Sequence, residues 1–245
     1  MSFKNKLLGL KVMAKKEAVR EMFNDLAPKY DAMNHWFSLN IDKSWRRKAL
    51  REIPVGAYVL DEACGTADFS IAAVKRGAGK VIGIDITENM VEIGKAKVAK
   101  AGMSDKIDLI IADGEALPFE DKTFDAVIIA FGIRNYEHKE QGLKEMYRVL
   151  KPGGKVVILE LSVPKHSPMR ELYMFYFKRI MPFIGGLVSR KSSWKYLNSS
   201  VVAFPKASQF MAMMQVSGFS KVKVRRFTFG ICSLFTGVKL ATNED

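Results

Sequence analysis

Three short stretches carry the residues best suited to chemistry. The first, Cys64-Gly65-Thr66-Ala67-Asp68, is a turn of small residues between the strand-length apolar run that begins at Val59 and a helical-period segment from Phe69 to Val74. A strand, a turn tightened by glycine and a helix start leave backbone N–H groups facing a ligand. The second, Val81-Ile82-Gly83-Ile84-Asp85, is an apolar run ending in a carboxylate, about twenty residues further on, where a parallel nucleotide-binding fold holds two ribose hydroxyls. The third is Asp113-Gly114, at the end of the run Lys106 to Ala112. A dinucleotide would need three glycines in a G-x-G-x-x-G turn, and here Gly65 stands alone, so a pyrophosphate loses its close backbone approach. S-adenosylmethionine carries ribose and adenine without phosphate. It asks for a tight turn beside its amino-acid part, an acid on the ribose and polar groups near the adenine, which these stretches offer in order.

The elements that must position them alternate. Strands are expected in the run that begins at Val59 and at Val81 to Asp85, Lys106 to Ala112, Phe124 to Phe131 and Lys155 to Leu161, the last entered through the turn Lys151-Pro152-Gly153-Gly154. Helices are expected at Glu88 to Ala101 and Lys139 to Val149. This βαβ alternation predicts an α/β fold, a mostly parallel sheet with helices on both faces. Two closing strands, Lys221 to Phe229 and Ser233 to Leu240, follow a Met-rich helix from Phe204 to Ser217 and predict a hairpin that brings the sheet to seven strands. Residues 1–50 are expected to form a helical lid. Its start reads either as a basic amphipathic helix or as a frayed end, and its middle, Tyr30-Asp31 with Asn34-His35-Trp36, as irregular. The remainder, 51–245, is expected to be one domain with an aromatic and basic cap inserted at about 162–200.

The 245 residues carry a formal net charge of +13, and from Ser162 to Leu240 there are thirteen Lys and Arg against one acid, Glu171. That third should face phosphate, on nucleic acid or on anionic lipid. Two cysteines, Cys64 and Cys232, make no disulfide framework, and no leader pattern stands at the start, so a cytoplasmic location is expected. The longest apolar run, Leu172 to Val188, is broken by Lys178-Arg179 and Pro182, short of the roughly 20 residues a membrane span needs. No metal site is expected.

Several longer motifs resemble the class I S-adenosylmethionine-dependent methyltransferases, and more closely the ubiquinone/menaquinone biosynthesis C-methyltransferase family. They are Phe23 to Asn34, Leu60 to Asp68, Gly114-Glu115-Ala116-Leu117-Pro118-Phe119, Phe131-Gly132-Ile133-Arg134-Asn135, and Tyr147 to Gly154. The last is common among methyltransferases; the first and fourth are far more specific. The resemblance covers about Phe23 to Lys239. It implies a Rossmann-like methyltransferase fold and a cofactor site of Gly65, Thr66, Asp85, Asp113 and Gly114. The implied reaction is methyl transfer from S-adenosylmethionine to a ring carbon of a polyprenylated quinol, with a naphthoquinol and a benzoquinol both open. Ala67 stands where the family usually has a second glycine, and Glu62 where it often has Leu.

Arg134 and Asn135 are the candidates for orienting the quinol oxygens, although Arg134 could instead pair with an acid and fix its loop. Tyr30 is a third candidate, for closing over the cofactor or bonding the quinol, and packing is its alternative role. His35 reads more readily as structural, and Cys64 as a small residue under the turn. The aromatic stretch Tyr173 to Phe183 could line a polyprenyl groove or form the core of the cap, while Lys178, Arg179, Arg190, Lys191 and Lys195 suit anionic headgroups at the inner face of the cytoplasmic membrane. A homodimer is compatible with this arrangement. Nucleic acid is not expected as a substrate: strand four lacks an N-P-P-Y-like tetrad and no RNA-binding module is visible. A phospholipid methylase and a cofactor-binding module without catalysis are the remaining alternatives.

Overall fold

The computed structural model describes residues 3–180 and 191–241, with side chains at all of these except 3–15, 35–37, 177, 178 and 191–195. In chain order the elements are α1 (Phe3–Phe37), α2 (Ile41–Ala49), β1 (Tyr58–Glu62), α3 (Asp68–Lys75), β2 (Lys80–Asp85), α4 (Glu88–Lys100), β3 (Ile107–Ile111), β4 (Phe124–Ala130), α5 (Lys139–Val149), β5 (Leu150–Leu161), α6 (Met169–Phe175), α7 (Lys191–Ala203), α8 (Ala207–Val216), β6 (Ser220–Phe227) and β7 (Cys232–Val238). The strands form one seven-stranded sheet in the order β3-β2-β1-β4-β5-β7-β6. Only β7 runs against the rest, paired antiparallel to β5 and β6, as the expected hairpin requires.

The strands stay in this sheet because their apolar residues serve both faces at a period of two. Val59, Ala126, Ile128, Val157 and Leu159 enter the core on one face. Their neighbours Leu60, Val127, Ile129, Val156 and Ile158 enter the core on the other. β1 pairs in parallel with β2 on one side and β4 on the other, so the order reverses beside β1. A crevice opens at that switch point, outside the carboxyl ends of the strands, where open α/β sheets take their ligands.

Two expectations are corrected. The irregular middle predicted for residues 30–36 is helical: α1 runs unbroken through Pro28 and on to Phe37. Leu26 and Met33 pack with Tyr173 of α6 and Val201 of α7 in a small separate core, so tertiary burial outweighs the local polar and proline signals. Second, the turn Lys151 to Gly154 lies inside β5, whose pairing with β4 shifts register there. Its backbone is satisfied by the chain beyond β7: the Gly153 N–H donates to Lys239 O at 2.7 Å and the Lys239 N–H to Gly154 O at 3.0 Å.

Candidate functional site

At the end of β1 the chain turns through Ala63, Gly65 and Ala67, all in the left-handed region with φ of 48°, 54° and 67°. For an alanine that backbone costs about 1–2 kcal/mol, which the buried surroundings of Ala67 must hold in place. The departure at Ala67 therefore leaves the turn in the conformation a glycine would take. Asp85, at the end of β2, braces it. One carboxylate oxygen accepts the Gly65 N–H at 2.9 Å and the other the Thr87 N–H at 2.9 Å. Burial raises the Asp85 carboxyl above the usual aspartate range, against the pull of these backbone bonds.

A cavity of about 100 Å³ opens over this turn, with Gly65, Asp85, Asp113, Gly114 and Asn135 on its walls and Phe23 and Tyr30 of α1 above them. Four of the five expected cofactor residues thus meet at one place. The donor set suits S-adenosylmethionine: a carboxylate for a vicinal diol, a second acid for an exocyclic amine, and at Gly65 a backbone over which the nearest atom to an added Cβ is Tyr30 Cε1 at 3.7 Å. A side chain at Gly114 would run into the Tyr136 hydroxyl, so the wall there must be bare. The fifth residue, Thr66, does not line the cavity. Its hydroxyl donates to Asp31 of α1 and accepts from Lys97 of α4 at 3.1 Å, and Lys97 also reaches Asp31 and Asp68, each at 2.6 Å. Thr66 thereby fastens α1 to the sheet domain.

The far end of this cavity is held by α1 as well. Lys16 pairs with Asp113 and with Glu115, the latter at 3.2 Å. Burial pulls its ammonium down and the two carboxylates pull it up, with the net shift upward. Asn24 of α1 accepts the backbone N–H of Asn89 at 3.2 Å.

Beneath the floor, Glu62 is fully buried and accepts the Tyr136 hydroxyl at 2.7 Å, while its other oxygen has no protein partner. Burial pushes the Glu62 carboxyl well above the usual range, the Tyr136 bond opposing. The neighbouring Asp61 is raised to about 7 by the same cause, with Ser70 opposing. A carboxyl raised in the folded state adds stability below its unfolded value, and that stability is lost as pH rises through the folded value. Thermal stability should therefore fall between about pH 4 and pH 7 through Asp61, and further through Glu62. Glu62→Gln keeps the acceptor for Tyr136 and removes the charge. It should melt later than the parent at pH 8, by about 1 kcal/mol or more, with little difference at pH 4.5, as read by calorimetry at both values.

A second cavity, of about 280 Å³, abuts the first, sharing Phe23, Tyr30 and Phe131 with it. Its walls are mostly apolar: Leu26 and Met33 of α1, Trp45 of α2, Leu161, Tyr173 and Leu197. Two arginines interrupt them, Arg134 and Arg46. Arg134 follows Phe131, itself held at φ 63°, in a 3-10 turn at the end of β4. Its guanidinium pairs with the buried Glu160 at 2.9 Å and donates to Phe131 O, which realises the loop-fixing role, yet its Nε–H is buried without an acceptor. Arg46 lies against the rings of Phe69 and Phe131, and its buried Nε faces Asp42 Oδ2 at 3.7 Å, an ion pair longer than a hydrogen bond. Asn135 joins the cavities, lining the first and accepting the hydroxyl of Tyr196, which lines the second, at 3.1 Å.

Arg46, Asp42, Trp45 and Tyr136 escaped the sequence reading. The available signal was spacing: Asp42 and Arg46 lie four apart on α2, which also buries Trp45 and Ala49. Of the aromatic stretch, Tyr173 is buried on the second cavity and Tyr176 lines it, while Phe175 is exposed. Arg179 is exposed. Phe183 and Arg190, and the side chains of His35, Lys178, Lys191 and Lys195, lie outside the described residues. Among the described residues no helix is long and apolar enough to cross a membrane.

The chain is similar to known proteins in fold and in sequence. The chain superposes on the cyclase SpnF with a TM-score of 0.72 at 15% identity, covering 93% of this chain and 97% of that one. It superposes on an S-adenosylmethionine-dependent methyltransferase from Thermotoga maritima with a TM-score of 0.65 at 18% identity, covering 90% and 99%. In sequence it is 47% identical to the ubiquinone/menaquinone biosynthesis C-methyltransferase UbiE of Geotalea daltonii, over 94% of this chain and 99% of that protein. It is 44% identical to the demethylmenaquinone methyltransferase of Bacteroides fragilis, over 92% and 94%. Residues 11–239 match the ubiE/COQ5 methyltransferase family as a whole, and the chain belongs to that family.

Proposed function

We propose that this protein uses S-adenosylmethionine to methylate a ring carbon of a polyprenylated quinol, converting demethylmenaquinol to menaquinol, at the inner face of the cytoplasmic membrane. The observation that carries the reading is the second cavity: an apolar chamber beside the cofactor residues, with two arginines, Arg134 and Arg46, on its walls. A quinol has two ring oxygens set in an apolar frame, the complement of such a chamber.

When bound in the first cavity, the cofactor supplies an electrophilic methyl group. In this reading Asp85 takes the ribose hydroxyls, Asp113 and the bare wall at Gly114 take the adenine end, and Gly65 lets the amino-acid part approach the backbone. Arg134 and Arg46 donate to the quinol oxygens. A guanidinium beside a ring oxygen lowers the cost of losing its proton, and the resulting phenolate makes the ring carbon a stronger nucleophile. Asp42, on the same wall, is the carboxylate placed to take that proton. Phe131 and Tyr30, common to both cavities, bracket the path of the methyl, and holding the reactants in line can be worth roughly 7–11 kcal/mol. Residues 1–50 act as a lid, because α1 roofs both cavities and Lys16, Asn24 and Asp31 fasten it shut.

Incubating the full chain with methyl-labelled S-adenosylmethionine and a lipid extract containing both naphthoquinol and benzoquinol precursors, followed by mass analysis, tests this. One label per molecule on the naphthoquinol ring carbon is the expected product. Label on an oxygen, on a phospholipid or nowhere would remove the reading.

A further inference from the structure

Two turns beside the second cavity combine unfavourable backbone with exposed apolar side chains. Leu39 and Asn40, between α1 and α2, have φ of 51° and 59°. Thr228 and Phe229, between β6 and β7, have φ of 47° and 56°. Bulky and β-branched residues avoid this region, which tight turns ordinarily fill with Gly or Asn. Yet Leu39 is 74% exposed and Phe229 is 79% exposed. Neither backbone preference nor burial within the chain accounts for these residues.

The turns lie together. The Trp45 Nε1–H of α2 donates to Thr228 Oγ1 at 2.9 Å, and Leu39, Ile41, Thr228 and Ile231 all line the second cavity. Leu39 and Ile41 are also open to solvent, so they stand at its mouth. Behind the tips the charge is mostly positive, with Glu52 the partly exposed acid after Arg51. Lys43, Arg47, Lys48 and Arg51 are exposed on α2 and the turn after it, and Arg225 and Arg226 on β6. Lys48 and Arg225 meet over one ring, lying 5.4 Å and 5.0 Å from the centroid of Phe227. Between Leu39 and Arg51 the only acid is the buried Asp42, and between Ser220 and Leu240 there is none.

Apolar tips in front of a belt of cations fit a surface whose interior is hydrocarbon and whose face is anionic. From this geometry we infer that the 39–41 and 228–230 turns insert into an anionic lipid bilayer and set the mouth of the second cavity at headgroup depth. The placement rests on the reading of that cavity as the quinol chamber, and it explains how a polyprenylated quinol enters without crossing water. It also differs from the cap stretch the sequence suggested, since the cations here come from α2 and β6. A protein partner or a second copy is a weaker match, because six cations beside two narrow tips would need an equally acidic, concave face, and this chain is basic.

The test measures partition of the full chain, without cofactor or quinol, to vesicles of phosphatidylglycerol and phosphatidylcholine and to vesicles of phosphatidylcholine alone. The parent should bind the anionic vesicles and release as salt is raised. Phe229→Ser should weaken that partition at least tenfold while leaving turnover on a short-tailed quinol within twofold, because Phe229 does not line the cavity. Leu39→Ser should weaken partition by a similar factor. Phe229→Trp should give an emission shift to the blue, beyond any the parent shows, on anionic vesicles only. Partition of Phe229→Ser equal to the parent, emission from bound Phe229→Trp that shifts no more than the parent's, or self-association through this face without vesicle binding would overturn the inference. Because partition is read without substrate, it can fail while quinol methylation succeeds, and the reverse.

Discussion

Asp85→Ala should weaken S-adenosylmethionine binding by about 100-fold, read by calorimetry on the purified chain. The carboxylate has two duties. In the proposed site it accepts the ribose hydroxyls, and a hydrogen bond to a charged group contributes about 1.5–3 kcal/mol, each 1.36 kcal/mol being a factor of ten. It also braces the turn, accepting the Gly65 and Thr87 N–H groups at 2.9 Å each. Asp85→Asn keeps one acceptor and should fall between parent and alanine variant. Because burial raises the Asp85 carboxyl, cofactor affinity should weaken as the solution is acidified toward that value, and the asparagine variant should lose this dependence. An alanine variant that binds like the parent would place the ribose elsewhere.

Arg134→Ala should cost both turnover and stability, and separating the two is the purpose of the second experiment. Glu160 is fully buried and accepts the Arg134 backbone N–H at 3.1 Å, the Leu161 N–H at 2.8 Å and the Arg134 guanidinium at 2.9 Å. Removing the guanidinium strands that charge, for a loss of about 3–5 kcal/mol, a large part of the roughly 5–15 kcal/mol that holds a domain together. Low activity in the single variant would therefore say little about mechanism. In Arg134→Met with Glu160→Gln neither partner is left charged, and most of the lost stability should return. Turnover should stay depressed by at least about 100-fold, the upper range for assisted proton loss being 10⁴, while cofactor affinity remains near that of the parent. A double variant that turns over normally would remove Arg134 from the mechanism and leave Arg46 as the donor.

The parallel sheet, the hairpin and the meeting of Gly65, Asp85 and Asp113 at one cavity were legible in the amino-acid order, because they rest on local patterns. Apolar runs alternate with helical segments, and Gly65, Asp85 and Asp113 each stand at the end of a run. The ends of neighbouring parallel strands share an edge whatever the loops do, so strand-end residues meet without further information. Arg134 was legible as a candidate, but its partner was not: Glu160 lies twenty-six residues away on β5, and only strand pairing brings the two together. Of the second cavity only part was legible: Tyr30, Arg134, Tyr173 and Tyr176 were candidates, but the walls from α2 and the β6–β7 turn were not. Its walls come from α1, α2, the β4 turn, α6, α7 and the β6–β7 turn, pieces far apart in the sequence. The pairing of Thr66 with Asp31 and the bond from Trp45 to Thr228 are likewise contacts between residues far apart in sequence. Such contacts depend on which buried faces find each other. Periodicity reveals that a face must be covered, and only the folded chain decides by what.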